Sequence, residues 1–181
     1  MILKESGIPS LPTNSPKELA TLTISNSLLL QGFDIVEMDN KRPWGAFYKI
    51  SEEQLPQFLD TFFPGVDIPD NVKNLKIDPK ILLVESGKRL SWQFHNRRSE
   101  FWRVIQGPVG VVLNHEDSIP ERVQILSNGE RVDISSRTRH RLVGLRNWGV
   151  VAELWIHEDP LKPSNEEDIV RLADDFGREN K

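Results

Sequence analysis

Apolar residues change their spacing along this chain, and each change predicts a different kind of element. Residues 1–15, with Gly7, Pro9, Pro12, Asn14 and Ser15, predict irregular backbone, and Pro16 behind Ser15 predicts the start of a short helix. The stretch 28–37 (LLLQGFDIVE) predicts extended chain interrupted at Gly32. The NKRPWG of 40–45 reads as a turn and 46–50 as a further strand. The period then becomes helical: Ser51 with Gln54 resembles a capping box, and Leu55, Phe58, Leu59 and Phe62 recur on one helix face. Pro64 and Gly65 end that helix.

From Lys80 onward short strands take over, at 81–85, 90–95, 101–105, 109–114, 123–126, 131–134, 139–143 and 150–157. Turn signals separate them, among them Gln106-Gly107-Pro108 and the hairpin dipeptide Asn128-Gly129. Many short strands at close spacing predict a sandwich or barrel. Ser164 with Glu167, followed by Ile169, Leu172, Ala173 and Phe176 at helical spacing, predicts a closing helix. The pattern therefore predicts one all-β barrel with helical additions.

A length of 181 residues suits one domain with a sizeable core, and 38% hydrophobic with 28% charged residues excludes a disordered chain. The net charge of −4 argues against a nucleic-acid or anionic-membrane binder. The absence of Cys excludes disulfides, thiolate metal sites and Cys nucleophiles. The opening residues lack the pattern of a secretory signal, and no run approaches the ~18 apolar residues of a membrane span. A cytoplasmic protein is the expectation.

The chain has four His, at 95, 115, 140 and 157. Gln93 and His95 lie two apart on an expected strand and so share a face, Glu100 follows a short polar turn, and His140 lies on a later strand. Two imidazoles, a carboxylate and an amide oxygen suit a divalent cation that keeps positions open for substrate. Spacing alone equally allows unrelated polar groups on a half-wet sheet.

These residues resemble the first motif of the cupins: Gly87, five residues, Gln93-Phe94-His95, four residues, Glu100, six residues, Gly107, with Gln93 in place of the first His. The second motif is looser. Gly129 is followed by Ser135 where proline is usual and Arg137 where glycine is usual, then by His140 at the His position and Gly144 where asparagine is common. A narrower resemblance is to the type II phosphomannose isomerases, which also form the C-terminal domain of bifunctional mannose-1-phosphate guanylyltransferases. Residues 89–95 (RLSWQFH) and 98–102 (RSEFW) are similar to that family's core, and Gln93 conforms to it. The RPWG of 42–45, the HRL of 140–142, the EDIVR of 167–171 and the DDFGR of 174–178 match further blocks in the right order. The family's run of three His is His95-Asn96-Arg97 here, and the His after the glutamate is Phe101.

The resemblance implies a cupin double-stranded β-helix, a jelly-roll barrel, occupying 41–181, with a helical insertion at about 51–78, a C-terminal helix, and an extension at 1–40 that packs on or pairs with the barrel. It implies one divalent metal ion, zinc first, held by Gln93, His95, Glu100 and His140, and isomerisation of mannose 6-phosphate to fructose 6-phosphate through an enediol. Arg98 and Arg141 match family arginines, and with Arg89 they are the expected phosphate anchors. Glu153 and His157 share the odd face of the last strand and are the proton-transfer candidates if that face lines the pocket. The apolar even face (Val150, Ala152, Leu154, Ile156) favours an odd face in solvent, and most of the five tryptophans read as packing. A homodimer is implied. No nucleotide is expected, since the nucleotidyltransferase domain of the bifunctional relatives has no match. A cupin that binds metal and sugar without catalysis, one acting on another phosphosugar, and an iron oxygenase stay open. The changes at Asn96, Arg97 and Phe101 favour the first of these, and the matched arginines favour the isomerase.

Overall fold

The computed structural model describes residues 6–66, 72 and 74–178. Within them two antiparallel sheets face one another as a barrel. The six-stranded sheet runs in the order β1 (Ile35–Asp39), β2 (Gly45–Ile50), β3 (Ile77–Val84), β10 (Gly149–His157), β5 (Arg98–Gln106), β8 (Arg131–Ile134). The five-stranded sheet runs β11 (Ile169–Ala173), β4 (Trp92–His95), β9 (Arg139–Gly144), β6 (Val109–Asn114), β7 (Gln124–Leu126). This is the all-β cupin barrel the sequence predicts, built from strands at the expected places.

Two apolar layers hold it. Phe47, Leu82, Val84, Trp102, Val104, Val111, Leu142 and Val151 fill the space between the sheets. On the outer face of the larger sheet, Tyr48, Ile81, Leu83, Ala152 and Leu154 pack under α1 (Lys17–Leu30) and α2 (Leu55–Phe62) through Ala20, Ile24, Leu28, Phe58 and Phe62. The large sheet is therefore buried on both sides, and every residue of β10 is buried. This corrects the expectation of a solvent-facing odd face. The apolar even face meets the helices, which leaves Glu153, Trp155 and His157 inside the barrel.

The ends of the chain depart from the sequence pattern. A 14-residue helix occupies Lys17–Leu30, where a short helix and then extended chain are expected. Its stripe Ala20, Ile24, Leu28 has a sheet face to bury against, and that contact outweighs the Ser and Thr content of the segment. The Tyr48 hydroxyl donates to the Thr21 carbonyl (2.9 Å), and the Leu11 N–H to Gln106 Oε1 (2.8 Å), tying the first forty residues to the sheet. Neither Ser15 nor Ser51 caps a helix with its side chain. Gln54 instead accepts from the Asp34 N–H and donates to the Gly32 carbonyl, each at 2.7 Å. The expected insertion at 51–78 carries α2 and runs into β3, while 67–71 and 73 lie outside the described residues.

The expected C-terminal helix is absent. Glu166–Asp168 forms one 3-10 turn and Ile169–Ala173 is a strand. Strand β4 has β9 on one side only, and β11 completes the other with Ile169 opposite His95 and Arg171 opposite Gln93. Satisfying that open edge outweighs the helical period of Ile169, Leu172, Ala173 and Phe176. Among the described residues no helix is long and apolar enough to cross a membrane.

Candidate metal centre and cavity

Strand alternation directs Gln93 and His95 of β4, Arg98 and Glu100 of β5, His140 of β9, Lys80 of β3 and Glu153 of β10 to the barrel interior. The apolar core fills one end, and at the other a cavity opens to solvent. Its buried lining includes Lys80, Glu100, Trp102, Glu153 and Trp155, while the part-exposed Arg42, Arg171, Arg178 and Glu166 line it toward solvent.

His95, Glu100 and His140 converge with ligand atoms within 4.8 Å of one another, all buried. His95 Nε2 lies 3.1 Å from Glu100 Oε1, His140 Nε2 lies 3.3 Å from Glu100 Oε2, and the two Nε2 atoms are 3.3 Å apart. The His140 Nδ1–H donates to the Thr138 carbonyl (2.9 Å), which fixes the tautomer and leaves the Nε2 lone pair facing the carboxylate. The His95 Nε2 lone pair accepts from Arg98 Nη2 (3.1 Å). Burial first, then the Arg98 charge, pushes the His95 pKa down to about 3, so its imidazole can present a lone pair. Glu100 is held well below the carboxylate range by His95, Arg98 and His140, against the effect of its burial, and its Oε2 has no hydrogen bond. Two lone pairs and an orphaned carboxylate oxygen in a dry pocket form a donor set that could hold a metal ion, and its nitrogen and oxygen composition fits a divalent cation.

Opposite this cluster stand two groups of matched acidity. Lys80 is brought down to about 8 by burial, and its Nζ lies 3.0 Å from the Trp155 ring centroid. Glu153 is pushed up to about 8 by burial and next by the Glu100 charge, while the Trp102 indole N–H donates to its Oε1 (2.9 Å). The two residues are cross-strand partners.

The structure brings together most, not all, of the residues singled out from sequence. Gln93 lines the cavity and is the register partner of His140, with its Oε1 accepting from the Ser91 hydroxyl (2.6 Å). Arg98 lines it too, but its donors are committed to Glu100, His95, Ser164 and Asn165. Arg89 and Arg141 lie elsewhere: Arg89 forms an exposed fork on Asp175, and Arg141 projects from the face of β9 opposite to His140, its Nη2 donating to the Ala173 carbonyl (3.3 Å). Glu153 is in the cavity. His157 is buried off it, with Nδ1 accepting from the Ser164 N–H (2.9 Å) and Nε2 3.2 Å from Asp78. All five tryptophans are buried, and Trp44, Trp102 and Trp155 are also cavity walls.

Asn96, Arg97 and Phe101 are not among the lining residues. The Asn96 and Arg97 backbone N–H groups donate to Asp168, and Phe101 packs toward the helical layer. Sequence reasoning missed Lys80. Its signal is the alternation Asp78, Lys80, Leu82, Val84 in an apolar octet, where a strand begun at residue 81 leaves both charges out.

A family model described as mannose-6-phosphate isomerase C-terminal matches residues 66–174. The xanthan biosynthesis protein XanB of Xanthomonas campestris pv. campestris, in two strains, is 29% identical over 137 residues, 76% of this chain. The chain spans 23% of the length of these curated relatives. Among solved structures, the capsular polysaccharide assembling protein CapF from Staphylococcus aureus is similar at 18% identity, covering 75% of this chain and 33% of that one with a TM-score of 0.47. KdgF from Halomonas sp. is similar at 16% identity, covering 72% and 89% with a TM-score of 0.48.

Proposed function

The chain belongs to the mannose-6-phosphate isomerase C-terminal family, and from that premise we propose that it is a metal-dependent aldose–ketose isomerase of a phosphosugar, interconverting mannose 6-phosphate and fructose 6-phosphate. The observation that carries this reading is the shared cavity. Glu100 lines the same space as the cross-strand pair Lys80 and Glu153, and His95 and His140, which do not line it, stand 3.1 and 3.3 Å from the Glu100 carboxylate.

Isomerisation moves a proton between adjacent carbons while a carbonyl and a hydroxyl exchange places. A metal held by His95, Glu100 and His140, with Gln93 as a fourth oxygen donor, would supply a Lewis acid for the two oxygens. The protein's own part is positional and protonic. Thr138 orients His140, and Arg98 braces Glu100 through Nε (2.8 Å). Lys80 and Glu153 both titrate near 8, so loss of one proton from the pair, increasing as pH rises toward 8, leaves one group able to release a proton and the other able to take one up. Trp44, Trp102, Trp155 and Phe47 wall the cavity with apolar surface that excludes water from the reacting carbons.

The test is a coupled assay of mannose 6-phosphate conversion to fructose 6-phosphate with chelator-stripped and metal-reloaded protein side by side. Turnover that appears on reloading is the expected result. Silence from protein carrying stoichiometric metal overturns this substrate assignment.

A further inference from the structure

We infer that Arg42, Arg171 and Arg178 form an anion clamp at the mouth of the cavity that receives the phosphate group of the sugar, an assignment that rests on the phosphosugar reading above.

Three segments remote from one another deliver these guanidiniums. Arg42 comes from the turn before β2, Arg171 from β11 and Arg178 from the turn after it, and all three line the one cavity. They belong to the RPWG, EDIVR and DDFGR blocks, which play no part in the donor set on the cavity floor. Arg171 is the ladder partner of Gln93, itself the partner of His140, so this rim lies directly beside the metal-ligating strands.

Each outer arginine is braced from behind. Arg42 Nε lies 2.8 Å from Asp39 Oδ2, and Arg178 donates to both Asp174 oxygens, Nε at 3.0 Å. Neither Asp39 nor Asp174 lines the cavity, so these contacts orient the forks without filling the space in front of them. On the cavity side Glu166 lies 3.7 Å from Arg42 Nη2 and 3.7 Å from Lys80 Nζ. Burial first and then the charges of Arg178 and Arg42 lower the proton affinity of Arg171, which shows the like charges close enough to oppose one another. Guanidinium forks match the oxygens of a phosphate, and a phosphate dianion offers three terminal oxygens to more than one fork at once. A phosphate gripped there leaves the far end of a hexose to reach the cluster at the floor.

The experiment is calorimetric titration of the metal-loaded full chain with inorganic phosphate, mannose 6-phosphate and mannose. Arg42→Gln, Arg171→Gln and Arg178→Gln are compared with Arg89→Gln on the outer face. The clamp predicts that each of the first three weakens phosphate and mannose 6-phosphate by roughly 10–100-fold, the loss expected for a charged hydrogen bond, while Arg89→Gln binds as the parent does. Metal content and melting temperature identify any variant that has not folded, and the remaining two then carry the test. Unchanged affinity in the folded variants overturns the clamp, as does parent protein that takes up neither phosphate nor mannose 6-phosphate. Turnover is not part of the readout. Clamp-dependent binding without isomerisation overturns the function and leaves the clamp, and isomerisation with unaltered affinity in the variants does the reverse.

Discussion

Lys80 of β3 and Glu153 of β10 are direct cross-strand partners whose side chains line the same cavity, one cation and one acid both brought to about 8 by burial. Buried ionisable groups of matched acidity next to a metal-capable cluster are how a protein keeps a proton mobile near neutral pH. Lys80→Met and Glu153→Gln are each expected to lower kcat by about 10²–10⁴-fold, the range for loss of a general acid or base. Bound metal stays stoichiometric in both, because neither residue belongs to the His95–Glu100–His140 set. Steady-state kinetics with elemental analysis checks this, and a loss under about threefold in both variants removes the pair from proton transfer.

The donor set makes its own prediction. His140→Ala and Glu100→Gln each take away one of three converging ligands, and bound metal should fall far below stoichiometry in both. A cation present at 100 times its dissociation constant adds about 2.7 kcal/mol to the stability of the parent. Thermal melting should therefore rise on adding zinc or manganese to the parent and stay unmoved in His140→Ala. Equal metal content in parent and variant sinks the ligand assignment.

Burial of Glu153 gives a pH dependence whose sign can be worked out. Its folded pKa, about 8, is raised above the ordinary 4.5, so the folded chain holds a proton that the unfolded chain releases. That contribution is fully present below 4.5 and is lost as pH rises toward 8. His95 acts oppositely: its folded pKa of about 3 lies below the ordinary 6.5, so its contribution is present above 6.5 and lost as pH falls. The two slopes oppose each other between 4.5 and 6.5, which would hide both in the parent. Comparing metal-stripped parent with Glu153→Gln cancels His95. Urea unfolding from pH 5 to pH 8 should show the variant gaining on the parent by up to about 1.4 kcal/mol per pH unit. A difference that does not change with pH rules out a Glu153 protonated by burial.

Most of the barrel was legible because half-buried strands announce themselves by alternation and by their turns. The elements at β6 and β8 fall on the expected residues. The inward trio was legible as well, since Gln93 and His95 must share a face and Glu100 follows on the next strand. Faces buried on both sides were not legible. Alternation on β10 gives an apolar face and a polar face, and only the docking of α1 and α2 shows that the apolar one is outside the barrel and Glu153 inside it. The segment 169–173 supports both periods, and an open edge on β4, which no local pattern reveals, decides for strand. Arg141 was misplaced for a related reason: it neighbours His140 in sequence, so strand geometry sends it to the opposite face.

Gly144, standing where the family pattern commonly has asparagine, marks a close approach between two backbone segments that a side chain here would break. A Cβ there would lie 2.0 Å from the Glu85 carbonyl oxygen and 2.9 Å from its carbon, both backbone atoms with no rotamer to escape by. The segment is also pinned, with the Gly144 N–H donating to the Lys88 carbonyl (2.8 Å) and its own carbonyl accepting from Gly87 (3.1 Å). Gly144→Ala must therefore push β9 away from the turn after β3, at a cost of about 1–3 kcal/mol or more. The same strand carries His140, whose Nε2 stands 3.3 Å from Glu100. A displaced β9 should weaken metal binding together with stability, whereas a purely local clash would lower stability alone. Urea unfolding paired with a metal titration of the same variant separates the two. A stability change below about 0.5 kcal/mol would mean that the two segments can part without strain, and that the glycine is not needed for the barrel to close.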